Sequence, residues 1–316
     1  MSYLLNRFIQ IVIVLFILSF IVFQLIDLMP GDPITRLHAE NPGLKPDDIK
    51  RLIKQRGLDK PSHIRYFYWL KQLSQGELGY SMTYKIRVEE MVGTKIFTTL
   101  KLMIPVFFIS LLFAIPIGIY SAIRQYSRFD YTVNLMAFIG LSVPTFVVGL
   151  VVILIFAQKL NLFPPGGIKT PGVSELLDQI KYIILPVAVL SYHTIGTWLR
   201  YLRGSLLEVL KQDYIRTARA KGMSEDVVIL KHAVRNALIP FITILALSIP
   251  ALFSGALITE TIFGIHGMGR LLYQSIVNQD TDVAMAAFLF LSFLTLCFNY
   301  FADMIYMAID PRIRLK

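Results

Sequence analysis

The uncharged runs decide what this chain can be. Phe8 to Ile26, Leu102 to Ile123, Tyr131 to Gln158, Tyr182 to Leu199, Asn236 to Thr259 and Val283 to Ala302 contain no Asp, Glu, Lys or Arg. Each is roughly long enough to cross a ~30 Å hydrocarbon core as a helix, which takes about 20 residues. The fourth run is the shortest, and Lys181 or Arg200 at its ends can snorkel to the interface. A water-soluble core would need six helices that are apolar all round, which globular domains do not supply. The pattern therefore predicts an all-α integral membrane protein with six spans.

The first run follows Arg7 in the manner of a signal peptide. It is too long for such a segment, and no small-x-small cleavage site follows in "DLMPGDP". Sixteen of its residues are Leu, Ile, Val or Phe, worth about −5 to −10 kcal/mol of insertion free energy. It is expected to remain as an anchor.

Lys and Arg orient the spans. With the N-terminus in the cytoplasm, inside segments hold Arg7, Arg124, Arg128, eight basic residues from Arg200 to Arg235, and Arg312, Arg314 and Lys316. The short outside loops hold only Lys159, Lys169, Lys181 and Arg270. Residues 30 to 99 carry twelve basic residues on the expected outside, but long segments cross largely regardless of charge, and eight acids offset them. The net charge of +10 thus reports topology rather than a nucleic-acid partner. The lone Cys297 permits no intrachain disulfide.

Along the chain, residues 1–29 read as a cytoplasmic N-terminus and first span, and 30–98 as an extracytoplasmic segment with short helices. There "KPDDIKRLIKQRG" and "KPSHIRYFYWLKQLSQG" read as helices closed by Gly57 and Gly76. The Ile64, Phe67, Tyr68 and Leu70–Leu73 face fits either the membrane surface or neighbouring loops. Residues 95–306 read as the main membrane domain, with spans near 100–123, 132–157, 182–203, 237–260 and 283–306 and a polar loop at 205–238. Residues 307–316 form the expected cytoplasmic tail.

The polar loop is "TARAKGMSEDVVILKHAVRNALIP" with its approach. Ten charged side chains lie between Glu208 and Arg235. Burying them in lipid at about +2.5 kcal/mol each would cost upwards of ~25 kcal/mol, so the segment is in water or protein. Residues 205–221 read as a helix broken at Gly222. Ser224 then fits an N-cap, with Glu225 and Asp226 where the helix dipole favours acids. Val227, Leu230, Val234 and Leu238, widened by Val228, Ala233 and Ala237, form the expected apolar stripe of a second helix that feeds the fifth span at Pro240.

This segment resembles the cytoplasmic coupling ("EAA") loop of ATP-binding-cassette importer permeases, in the form "YIRTARAKG…HAVRNALIP" of the dipeptide, oligopeptide and nickel family. Other stretches resemble that family in order: "PGDP", "GLDKP", "RYFYWL", "GELGYS", "ETIFGIHGMGRLL" and "DPRIR". The long segment after the first span resembles the B-type subunit. Arg216, Thr217 and Ala218 stand where the motif's glutamate and alanines would be, and His266 stands where proline is frequent. The resemblance implies a type I ABC importer transmembrane domain with six spans and both termini cytoplasmic. It implies a multi-pass protein of a prokaryotic cytoplasmic (inner) membrane. It also implies partners: a homologous C-type permease, two ABC ATPase subunits and an extracytoplasmic binding protein. The substrate would be di- or oligopeptides. Nickel or a metal chelate, glutathione and oligosaccharides are the alternatives. The residues expected to engage the ATPase are Arg216, Ala218, Arg219, Lys221, Gly222, Ser224, Glu225, Asp226, His232, Arg235 and Asn236.

No GxxxxGK[ST] stretch provides a phosphate-binding loop, so ATP and magnesium are expected on partner subunits, with no cofactor or enzymatic activity in this chain. "GIHGMG" follows a span rather than a strand and is not a dinucleotide motif. No HExxH or Cys/His cluster suggests a metal. His193, Thr194, Thr197 and Glu260 are candidates to line the translocation path; bonding to the preceding turn is the competing role for the hydroxyls. Asn134 and Asn299 are expected as interhelical ties. A secondary transporter would instead show inverted repeats, broken half-helices and a mid-span carboxylate. Only Pro105, Pro116, Pro144 and Pro250 offer breaks, and no acid lies mid-span. A membrane-embedded enzyme would need a convergent catalytic set, which the runs lack.

Overall fold

Backbone groups inside a bilayer must bond to one another, and a helix is the one local structure that achieves this. A computed structural model describes residues 2–29, 59–81, 83–173, 175–254 and 256–309, with a few single positions between 47 and 54. Most of the expected helix at 45–57, "PGDP", and "DPRIR" with most of the C-terminal tail lie outside the described residues. Among the described residues no strand forms; the nearest approach is an isolated bridge between Tyr80 and Arg87.

The helices are α1 (Ser2–Asp27), α2 (Ser62–Ser74), α3 (Val88–Ile123), α4 (Arg128–Ser142), α5 (Thr145–Val152), α6 (Leu176–Val209), α7 (Asp213–Ala220), α8 (Arg235–Ser254), α9 (Leu257–Ile262), α10 (Met268–Val277) and α11 (Thr281–Ile309). Two stretches are wound as π-helix: Ile153–Lys159, continuing α5, and Val227–Val234, running directly into α8. Among the described residues, five stretches are long and apolar enough to cross a membrane: Asn6–Asp27, Val88–Ile123, Leu176–Val209, Val227–Leu252 and Thr281–Phe301.

The third expected span is not one straight helix. Arg128–Ser142 and Thr145–Lys159 meet at a bend of 100°. The cause is Pro144, which supplies no N–H to the carbonyl of Gly140 and starts α5 as its N-cap residue. Pro105, Pro116, Pro186, Pro240 and Pro250 are by contrast carried inside helices.

The chain divides into two units, residues 1–95 with 271–293, and 96–270 with 294–316. In the first, Phe23 and Ile26 of α1, Tyr66 and Trp69 of α2, and Ala284 and Met285 of α11 share a buried cluster. In the second, two clusters form. One gathers Leu102, Met103, Val106, Ile153, Leu185, Val189 and Phe263. The other joins Trp198, Leu199, Leu202 and Leu206 of α6 to Ile215, Ala218, Val228, Ala233, Ala237 and Phe241. That last cluster anchors the polar loop.

Candidate functional site

The loop is built on apolar pegs. Helix α6 runs on to Val209, and a short turn at 210–212 separates it from α7, so the helix expected over 205–221 is two. Ile215 and Ala218 of α7 point into the cluster, and the π-helical stretch adds Val228 and Ala233. Full burial of an Ile or Val side chain stabilises by about 1.5–3 kcal/mol. The Ser205 hydroxyl donates to the Ala237 carbonyl at 3.0 Å, adding one tie between α6 and α8.

Gly222 ends α7. Its N–H donates to the Arg219 carbonyl at 2.9 Å, and Met223 N–H to the Ala218 carbonyl at 3.4 Å. This paired pattern is a Schellman cap, which needs a left-handed residue at the position after the helix. Gly222 supplies it with φ 77. The glycine is therefore a defined cap that fixes the turn's direction. Val228 N–H donates to the Ser224 carbonyl at 3.0 Å, so Ser224 opens the next helix and Glu225 and Asp226 lie in its first turn.

Across the cap, Arg219 grips Glu225 in a fork: Nε to Oε1 at 2.8 Å and Nη2 to Oε2 at 3.2 Å. Both side chains are substantially exposed. Arg216 stands 3.5 Å from Asp213, also in the open. Lys221, Gly222, Ser224, Asp226 and Arg235 are exposed. Ala218 is buried, and His232 is half-buried, its carbonyl accepting from Asn236 Nδ2 at 2.6 Å.

The apolar stripe differs from the expected one. Val228, Ala233, Val234 and Ala237 are buried, but Val227 and Leu230 face outward, with Leu230 63% exposed. The π-helical winding is the reason: its i to i+5 bonding brings Val228 and Ala233 onto one side, and a 3.6-residue period does not describe it. Met223, Val227 and Leu230 are consequently exposed apolar side chains in the same stub as the Arg219–Glu225 fork.

A second polar cluster was not singled out in the sequence. The Asp130 carboxylate, almost wholly buried, receives Arg203 Nε and Nη2 at 2.8 Å each. It also accepts from Ser121 Oγ at 2.5 Å, Tyr126 N–H at 3.0 Å and Asn134 Nδ2 at 2.7 Å. The fork ties α3, α4 and α6 together. Asn134, expected as an interhelical tie, bonds within its own helix. The available signal was the capping pattern Ser127-x-x-Asp130, where Ser127 Oγ accepts from Asp130 N–H at 3.2 Å.

The path candidates have partners inside the chain. His193 Nδ1 lies 3.1 Å from the Gly140 carbonyl. A carbonyl only accepts, so Nδ1 carries the proton there and replaces the N–H that Pro144 lacks. Thr194 and Thr197 donate to the carbonyls four residues back, of Leu190 and His193. Glu260 has no exposed surface. Its Oε1 accepts from Thr99 Oγ1 at 2.8 Å and Oε2 from Arg270 N–H at 2.9 Å. It holds the "GIHGMG" loop, where a Cβ at Gly267 would collide with this carboxylate.

The described residues thus hold membrane-length helices, one of them broken and two joined by a capped polar stub. The methionine ABC transporter in inward-facing conformations has a chain that aligns with a TM-score of 0.57 at 15% identity, covering 70% of this chain and 97% of that one. An amino acid ABC transporter aligns at 0.56 with 13% identity, covering 70% and 94%. The fold is thus that of type I ABC importer transmembrane subunits. Residues 114–315 match the family described as binding-protein-dependent transport system inner membrane component, and residues 1–103 match its N-terminal family. The chain belongs to this family. It is 37% identical to the oligopeptide transport system permease protein AppB of Bacillus subtilis over 99% of both chains. It is 36% identical to a putative peptide permease protein of Brucella suis over 94% of both, and 33% identical to the dipeptide transport system permease protein DppB of Alkalihalophilus pseudofirmus over 99% of both. The broken span, a feature expected of a secondary transporter, therefore occurs in an ABC permease.

Proposed function

We propose that this chain is half of the translocation pore of a peptide importer, and that the stub from α7 to Arg235 is its handle for an ATPase. The ATPase would be one of two partner subunits; a second permease and an extracytoplasmic binding protein complete the assembly. Relatives named for oligopeptide and dipeptide transport over nearly the whole chain support a peptide substrate.

One observation carries the coupling role. A capped stub, pegged at both ends into the buried cluster of the spans, exposes three large apolar side chains together with charged ones. Met223, Val227 and Leu230 supply the surface a cleft can desolvate, and the exposed charges set register and specificity. Movement of the occupied cleft would be passed to α6 and α8 through Ile215, Val228 and Ala237.

The test is substrate-stimulated ATP hydrolysis by the reconstituted importer. Replacing Val227 and Leu230 by Asp is expected to abolish stimulation and uptake while membrane insertion stays intact. Unchanged stimulation and uptake would remove the stub from the coupling route.

A further inference from the structure

Helix α2 has a second apolar face that the fold leaves uncovered. Its inner face carries Ser62, Tyr66, Trp69 and Leu73 and packs on α1, in a cluster that Ala284 and Met285 of α11 share. Tyr66 stacks edge-on against Phe16, Phe20 and Phe23 at 5.9, 5.1 and 5.6 Å, and its hydroxyl meets that of Ser19 at 2.9 Å. Arg65 pairs with Asp27, and Ser62 with Gln24.

Those partners fix the depth of α2. Phe16, Ser19, Phe20 and Phe23 share one flank of α1, and Asn6–Asp27 is membrane-length. At 1.5 Å per residue, Phe23 lies about 6 Å and Ser19 about 12 Å inside the Asp27 end. So α2 rests against the side of a membrane-crossing helix, near its end. It does not sit above that end, in water.

At 100° per residue the opposite face is Ile64, Phe67, Tyr68 and Lys71. It points sideways from α1 at that depth. Phe67 is 56% and Tyr68 51% exposed. Exposed polar residues border it, His63 and Ser74 on one side and Gln72 on the other. Lys60 Nζ donates to the Tyr68 hydroxyl at 2.8 Å and stands 4.2 Å from its ring centroid. Aromatic rings with a polar tip, next to long cationic side chains, are the side chains of the headgroup level.

We propose that α2 is an interfacial lipid-binding helix. Ile64, Phe67 and Tyr68 seat at the headgroup–acyl boundary of the leaflet at the Asp27 end. Lys60 and Lys71 meet lipid phosphates. The helix thereby braces the Asp27 end of α1 from the bilayer side.

Spin labelling tests this. The full chain with Cys297→Ser is given a single nitroxide through Phe67→Cys or Tyr68→Cys, with His63→Cys and Gln72→Cys as flanking positions. It is reconstituted, alone and in its assembled complex, into phosphatidylethanolamine–phosphatidylglycerol vesicles. Collision rates with oxygen, which partitions into lipid, and with a water-soluble nickel chelate are compared. The oxygen-to-nickel ratio is expected to be several-fold higher at 67 and 68 than at 63 and 72, in both preparations. Nickel access at 67 and 68 matching that at 72 would place the face in water and overturn the proposal. Shielding from both reagents, alone or on assembly, would mean that protein covers the face and would equally overturn it.

Discussion

Two arginine–carboxylate forks in the same unit differ mainly in their surroundings. Arg203 holds Asp130 with both bonds at 2.8 Å, and Arg219 holds Glu225 at 2.8 and 3.2 Å. The Asp130 side chain is 4% exposed and that of Glu225 59%. A buried pair is costly to break because the surviving charge is stranded; an exposed pair contributes little and is screened by salt. The first fork therefore belongs to the architecture of α3, α4 and α6. The second braces a surface that remains available to a partner.

The contrast can be broken in several ways, of decreasing size. Asp130→Ala strands Arg203 and should cost about 3–5 kcal/mol, seen as a large fall in thermal stability or loss of folded protein in detergent. Asp130→Asn keeps the hydrogen bonds to Ser121 or Tyr126 in reach and should cost less. His193→Leu leaves the Gly140 carbonyl short of a donor at the broken span. A cost of about 1–3 kcal/mol follows, read from the same melting curves. Its uptake kinetics will show whether the ring also serves the path.

Gly222→Pro should act differently. Proline cannot adopt a φ of 77 and removes the N–H that bonds Arg219. The cap is lost while the spans persist, so ATP hydrolysis in the assembled importer should lose its dependence on substrate. Smallest in stability is Arg219→Ala, at no more than about 1 kcal/mol. If Arg219→Ala lowered the melting temperature as far as Asp130→Ala, the division between architectural and docking forks would fail.

Much of this was legible in the chain, because charge-free runs have one physical outcome in lipid. The break at Gly222 is legible too, as a glycine between a polar helix and a Ser-Glu-Asp start, whereas its form as a Schellman cap shows only in the backbone bonding. The six runs stand, but the sharpness of the bend in the third is not legible, because hydropathy passes through Ser142-Val143-Pro144 without a change, while Pro144 acts on backbone bonding alone. A 3.6-residue period places Val227 and Leu230 inward, but the backbone takes a π turn there and both face outward. Asp130 and Arg203 stand 73 positions apart, and nothing local in either sequence announces the other. Glu260 reads as an acid beside a span, yet its role comes from Thr99 and the backbone of Arg270, brought together only by folding.

In the proposed coupling role, a motor subunit binds the exposed apolar side chains of the stub. The most direct measurement is co-purification of the ATPase subunits with a chain carrying Leu230→Asp, scored beside the chain's own melting temperature. The account predicts that the ATPase is lost while the permease melts within a few degrees of the parent. Full retention of the ATPase, with hydrolysis still stimulated by substrate, would contradict it.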